Sequence, residues 1–174
     1  NGSEIVDFKY VSHEIYGGKK KLAGLPATYT ERQEEATSLD ITLHDPVMDT
    51  DLVLTYSVYE DYPVITRSAR LVQKGDQKIR LENVMSAAVE FPDMDYEMIH
   101  LSGAWARERY VKTRKLEMGI QAVQSLAGTG SSSEQNPFIA LKRPHTTEDT
   151  GEVFGFSFVY SGNFLAQVEV STYE

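Results

Sequence analysis

The chain has 174 residues, with 17 Lys and Arg against 26 Asp and Glu, a net charge of −9, and no cysteine. That length suits one domain of ordinary size, large enough to build a core without covalent staples. The missing cysteines exclude a disulfide scaffold, a thiolate zinc site and a cysteine nucleophile, and the acidic balance argues against broad electrostatic binding to nucleic acid or an anionic membrane.

Ten Tyr, seven Phe and one Trp lean the composition toward strands. No stretch approaches the roughly 18 consecutive apolar residues of a membrane span. Asn1-Gly2-Ser3 is formally a glycosylation sequon but reads as a cloning remnant or cut site. The opening residues carry neither the basic nor the apolar region of a signal peptide. Starting without Met, the chain reads as a piece of something longer.

In chain order, Thr30–Thr37 is the best helix candidate: it has a capping-type Thr and several acidic or amide residues, but no apolar stripe. Ser38–Leu43 alternates with period two, placing Leu39, Ile41 and Leu43 on one face. Asp51–Glu60 does so more fully, with Leu52, Leu54, Tyr56 and Val58 opposed to Val53, Thr55, Ser57 and Tyr59. Asp61-Tyr62-Pro63 breaks the run, Val64–Gln73 resumes it, and Lys74-Gly75-Asp76-Gln77 closes what reads as a corner or hairpin. Ile79–Phe91 is expected to give one or two further strands. Gly128–Ser133 is a flexible loop by composition. Val153–Tyr160 alternates most strongly of all, and Ser161-Gly162-Asn163 supplies a turn from which Phe164–Val170 is expected to pair back on it. Short strands at this spacing predict an all-β sandwich or barrel in one domain.

Chemistry-bearing motifs are sparse. There is no Gly-x-Ser-x-Gly, and the Gly-rich segment at 128–130 lacks the Gly-Lys-Ser/Thr ending of a phosphate loop. His13, His44, His100 and His145 have no metal-ligand spacing and read as surface or capping residues; no metal or cofactor is implied. The Asp49-Thr50-Asp51 and Asp93-Met94-Asp95 pairs lack the Gly and terminal Glu of a calcium loop. Trp105 lies among charges in Gly103-Ala104-Trp105-Ala106-Arg107-Glu108-Arg109. It reads either as a rim Trp with an Arg stacked on it, or as a platform for a sugar ring or a partner surface.

More specific are Leu25-Pro26-Ala27-Thr28-Tyr29, Val64-Ile65-Thr66-Arg67-Ser68 and Gly103-Ala104-Trp105-Ala106-Arg107-Glu108, followed by Asn136-Pro137-Phe138-Ile139-Ala140-Leu141, Gly151-Glu152-Val153-Phe154-Gly155-Phe156 and Val159-Tyr160-Ser161-Gly162-Asn163-Phe164. These six segments, in this order from about Asp7 to Glu169, resemble the N-terminal domain of family 36 glycoside hydrolases, the bacterial-type α-galactosidases. The chain departs from that pattern at Ser131–Gln135, where the family writes Ser-Ser-His. The resemblance implies an antiparallel β-sandwich of supersandwich type, cut at both ends, that precedes a (β/α)₈ barrel. Open strand edges left by such a cut tend to pair with another chain.

The resemblance also implies an enzyme that releases terminal α-linked galactose from melibiose or raffinose with retention. One Asp is the nucleophile and another the acid/base, both on the barrel. The chain holds no Trp-Asp and no Asp-Asp-Gly-Trp, so residues 1–174 are expected to be a non-catalytic β domain with no catalytic residue. Its expected partners are its own barrel and further copies of itself, with the α-galactoside bound at the barrel. Neither nucleic acid nor membrane is expected, and the cysteine-free composition fits the cytoplasm. Trp105, Arg107, Asn136, Phe138 and Asn163 are the candidates for loop ends that meet the barrel, the substrate approach or a neighbouring subunit. Two other readings are a stand-alone carbohydrate-binding sandwich and an oligomerisation module.

Overall fold

The computed structural model describes residues 5–24, 26–128, 133–160 and 162–171, which form two compact units, one of Asn1–Lys21 with Thr28–Val89 and one of Leu22–Ala27 with Glu90–Glu174. Among these residues every strand pairing is antiparallel, as expected of an all-β chain.

The first unit is a four-stranded meander, β1 (Lys9–Gly17), β2 (Ala36–Asp45), β3 (Thr50–Tyr59) and β4 (Ile65–Gln73), in that spatial order. Period-two alternation gives the sheet two unlike faces. Leu39, Ile41 and Leu43 of β2 lie opposite Tyr56, Leu54 and Leu52 of β3 on one face. On the other, Ser38 and Asp40 lie opposite Ser57 and Thr55. The polar face is buried at one end, and its groups satisfy one another. Ser38 Oγ donates to the Gly18 carbonyl at 2.6 Å and meets Ser57 Oγ at 2.7 Å, with both serines at 1% exposure or less. Gly18 permits this: its φ is +77°, and a Cβ there would sit 3.3 Å from Gln33 Cα. Asp40 accepts from Thr55 Oγ1 at 2.7 Å, Lys20 Nζ at 2.8 Å and the Tyr16 hydroxyl at 3.1 Å. Burial opposes its ionisation, yet these donors hold its carboxyl below the usual Asp value.

The helix expected over Thr30–Thr37 shrinks to a single 3₁₀ turn at Gln33–Glu35. With no apolar face to bury, a longer helix has nothing to stabilise it, and Thr30 Oγ1 accepts from Lys19 N–H at 3.2 Å instead of capping. The break at Asp61-Tyr62-Pro63 is the β3–β4 turn, as its residues suggest.

The strands expected within Ile79–Phe91 do not form. Leu81, Val84, Met85 and Val89 stay 55–61% exposed, and the segment leads from the first unit to the second. Alternation makes a strand only where a partner supplies backbone hydrogen bonds, and β5 (Glu97–Ala104), the next strand, has both its edges filled.

The second unit holds a four-stranded sheet in the order β6 (Arg107–Lys115), β5 (Glu97–Ala104), β8 (Gln135–Lys142), β9 (Val153–Ser157), and a two-stranded sheet of β7 (Gly119–Ser125) with β10 (Phe164–Val170). Met98, Ile139 and Leu141 from the larger sheet pack in one core with Val123, Phe164 and Val170 from the smaller, so the unit is a sandwich. Phe91 sits edge-on to Tyr96 and Phe154 at 5.3 and 5.1 Å.

The hairpin expected between Val153–Tyr160 and Phe164–Val170 is also absent. β9 ends at Ser157 and pairs with β8, while β10 pairs with β7. An in-plane hairpin would leave the apolar face around Met98, Ile139 and Leu141 open to water. Crossing to the opposite layer lets Phe164 and Val170 cover it, at 6% and 8% exposure. At the far end, Arg143 makes two hydrogen bonds to Asp93, at 2.6 and 3.2 Å, meets Glu152 at 3.2 Å and lies 3.9 Å over the Tyr96 ring.

Candidate functional site

The candidate residues come from different strands of the second unit but share one end of its sheets. β5 runs out at Ala104 where β8 begins, with Ser102 opposite Gln135 and Gly103 N–H donating to the Glu134 carbonyl at 3.0 Å. Trp105 sits on the β5–β6 turn beyond that point, and Arg107 opens β6. Asn136 and Phe138 lie in the first half of β8. Asn163 precedes β10, whose first residue pairs with Ser125 at the end of β7. Asn163 Oδ1 accepts from Gly128 N–H at 2.8 Å, tying together the loops that leave these two strands. Of the sequence motifs at this end, Thr129–Ser132 and Ser161 fall outside the described residues, as does Leu25 elsewhere.

The turn that carries Trp105 is tightly built. Ala106 and Arg109 adopt φ of 62° and 64°, the pairing shifts register between Ser102 and Ala104, and Glu108 Oε1 accepts from Ala106 N–H at 2.8 Å. Left-handed backbone at two non-glycine residues is costly and persists only where neighbours hold it in place. The result is an indole 85% exposed, with no cation over its ring among the described residues. No Arg is therefore stacked on Trp105 among the described residues. Arg107 is exposed beside it.

The other candidates have different settings. Asn136 is buried, at 8% exposure. Phe138 is half-buried and packs against Gly155, where a Cβ would come within 3.7 Å of its ring. These two brace the end from within, whereas Trp105, Arg107 and Asn163 are exposed on it.

Behind the turn lies His100, expected at the surface but only 6% exposed. It sits on the inner face of β5, two residues from Met98. Arg114 donates to its Nε2 at 2.8 Å. Burial first and the Arg114 charge second push His100 below the usual His value, against a smaller opposing pull from Gln135. A sequence signal for this existed: His100 shares a face with Met98, two positions away.

β6 carries Arg107, Arg109, Lys112, Arg114 and Lys115 against one carboxylate, Glu108, in a chain whose net charge is −9. It is an edge strand, and such charges keep an open edge from pairing promiscuously. The described residues contain no His, Asp and Glu grouping able to hold a metal ion, and no helix long and apolar enough to cross a membrane.

A model of the glycosyl hydrolase family 36 N-terminal domain matches residues 1–174. The chain belongs to this family. Alpha-galactosidase AgaA of Geobacillus stearothermophilus is 51% identical over 173 residues, 99% of this chain and 24% of that protein. Alpha-galactosidase 1 of Pediococcus pentosaceus is 41% identical over 169 residues, 97% of this chain and 23% of that protein. The crystal structure of the Geobacillus enzyme superposes with a TM-score of 0.96 at 50% identity, covering 99% of this chain and 24% of that one. A variant of it solved in complex with raffinose gives the same figures. This family 36 chain thus spans about a quarter of the length of the relatives it matches.

A cleft on the first unit draws together residues far apart in the sequence. On the first unit, Tyr29, Tyr59 and Tyr62 line a cleft of about 350 Å³ together with Arg32 and three carboxylates. Tyr29 belongs to a family segment and Tyr62 to the β3–β4 turn, which as sequence showed only a strand break. Their meeting depends on the β2–β3 register.

Proposed function

We propose that this chain is the N-terminal, non-catalytic β domain of an α-galactosidase that releases terminal α-linked galactose from oligosaccharides such as melibiose and raffinose. Hydrolysis would proceed with retention on a (β/α)₈ barrel outside residues 1–174, from two carboxylates about 5 Å apart. The observation that carries this reading is the match of the whole chain to α-galactosidases at 40–51% identity. Within such an enzyme the end of the second unit bearing Trp105, Arg107 and Asn163 meets the barrel or a neighbouring subunit, with Asn136 and Phe138 as its internal braces. An exposed aromatic beside an Arg is the usual anchor of such a contact. The assembled enzyme is a cytoplasmic homo-oligomer in this reading.

Galactose release from raffinose is the test. The purified 174-residue chain should release none above a buffer blank, and the same domain joined to the barrel that follows it in the enzyme should release it readily. Turnover by the isolated chain, or none by the joined protein, refutes the assignment. In the joined protein, Trp105→Ala should lower oligomer stability in light scattering without shifting the melting of the isolated chain.

A further inference from the structure

The tyrosine cleft of the first unit has the chemistry of a saccharide site. Tyr29 and Tyr62 stand on separate loops, 68% and 66% exposed. Both line one concavity, so two exposed phenol rings border whatever enters it. The walls are fixed in advance. Glu35 accepts from Glu31 N–H at 3.0 Å and from Arg32 Nε at 3.2 Å, and Glu60 N–H donates to the Glu35 carbonyl at 3.1 Å. The last bond joins the 3₁₀ turn to the end of β3, and Tyr59 hydroxyl reaches the Tyr29 carbonyl at 3.5 Å. A site held this way loses little freedom when a ligand arrives.

Glu35 is thus occupied by the protein itself. The Glu31 and Asp61 carboxylates are not: neither has a hydrogen-bond or ion-pair partner among the described residues. They leave two sets of acceptor lone pairs in the cleft, and the Arg32 guanidinium adds donors beside them. Three carboxylates against one guanidinium disfavour an anion. A cation would have to approach Arg32. A neutral polyol meets neither objection: its hydroxyls donate to the carboxylates and accept from Arg32, while its C–H faces lie on the phenol rings. The volume is at the small end for ligand sites and suits a short oligosaccharide.

We propose that this cleft binds a short neutral oligosaccharide without acting on it, with Tyr29 and Tyr62 as platforms and Glu31 and Asp61 as hydroxyl acceptors. The assignment rests on the cleft's chemistry and goes beyond the galactosidase reading.

The test is a titration of the ¹⁵N-labelled 174-residue chain with raffinose, followed by amide shifts. Saturable shifts in the millimolar range should concentrate at 29–32 and 59–62. Tyr62→Ala and Tyr29→Ala should each weaken binding by about tenfold, and Asp61→Asn should weaken it by a smaller factor, with far-UV circular dichroism unchanged. Choline chloride should not displace the sugar. Absence of saturable shifts, shifts confined to the Trp105 turn, unchanged affinity in Tyr62→Ala and Asp61→Asn, or displacement by choline each overturns the proposal. Galactose release by the joined enzyme is measured separately, so failure here leaves that reading standing.

Discussion

Gly103→Ala probes the structure of the turn that presents Trp105. A Cβ on Gly103 falls 2.1 Å from the Arg107 carbonyl oxygen, 2.9 Å from Glu108 Cα and 3.0 Å from Arg107 carbonyl carbon. All three atoms are backbone, so no side chain can swing aside. The strand opposite must retreat by roughly 1 Å to reach ordinary contact. Ala106 in the turn and Arg109 on that strand are already in left-handed backbone, and the Gly103–Glu134 hydrogen bond anchors the other side. Forcing extra volume into a closed site costs about 1–3 kcal/mol. For a chain of this size each kcal/mol is worth roughly 2–4 °C, so the melting temperature should fall by roughly 2–12 °C. Trp105 is the sole indole, so near-UV circular dichroism reports this turn directly and should change with it. A variant that melts within about 1 °C of the parent and keeps the parent's indole signal would refute the close crossing of β5 and β6.

Three further outcomes are expected. Met98→Ala empties a position at 0% exposure in the core of the second unit and should cost about 2–5 kcal/mol in urea denaturation, whereas Met118→Ala, 62% exposed, should cost less than about 0.5 kcal/mol. Ser38 donates to Gly18 and accepts from Ser57, so Ser38→Ala breaks two buried hydrogen bonds and should destabilise by about 1–3 kcal/mol. Ser57→Ala breaks one and should cost about half as much; equal losses would contradict the chained arrangement. His100 is held below its usual pKa of 6.5 by burial and by Arg114. The unfolded chain therefore binds its proton more readily than the folded one. Stability is full above pH 6.5, declines as pH falls through the window between 6.5 and the folded value, and levels off below it. His100→Gln should flatten that limb in a melting series from pH 7.5 to 5, while the carboxylates depressed by their hydrogen bonds, Asp40 and Asp51 among them, act only near and below their usual value of 3.8.

β2, β3, β4, β9 and β10 were legible in the sequence as alternating runs, whereas β5, β7 and β8, which carry much of the buried core, were not. β2, β3 and β4 alternate visibly because each has unlike neighbours on its two sides. β1 and β6 are edge strands whose residues are nearly all exposed. Arg107–Lys115 therefore looks like a charged loop, and only its pairing with β5 makes it a strand. The hairpin expected at Ser161-Gly162-Asn163 failed for a related reason. A turn motif specifies a change of direction, not the layer in which the next strand lands, and burial of Phe164 decides that. The site residues were legible as words but not as roles. Trp105 and Asn136 stand in similar-looking segments, yet one is presented and the other buried. The tyrosine cleft joins a family segment at Tyr29 to a strand break at Tyr62, two stretches far apart in the sequence.

The two-layer crossing of β10 also fixes an order of events in time. The first unit is a meander in which each strand pairs with its sequence neighbour, so it is complete once Val89 is made. Contacts of this local kind form quickly. The second unit cannot close until Val170 finds Gly119, because β10 supplies the cover for a core whose other wall is made much earlier. During synthesis the face around Met98 and Ile139 stays open while the rest of the unit emerges, a state prone to association. Lysines and arginines on the adjacent β6 edge are in place throughout that interval and discourage strand-to-strand capture while the last strand is awaited.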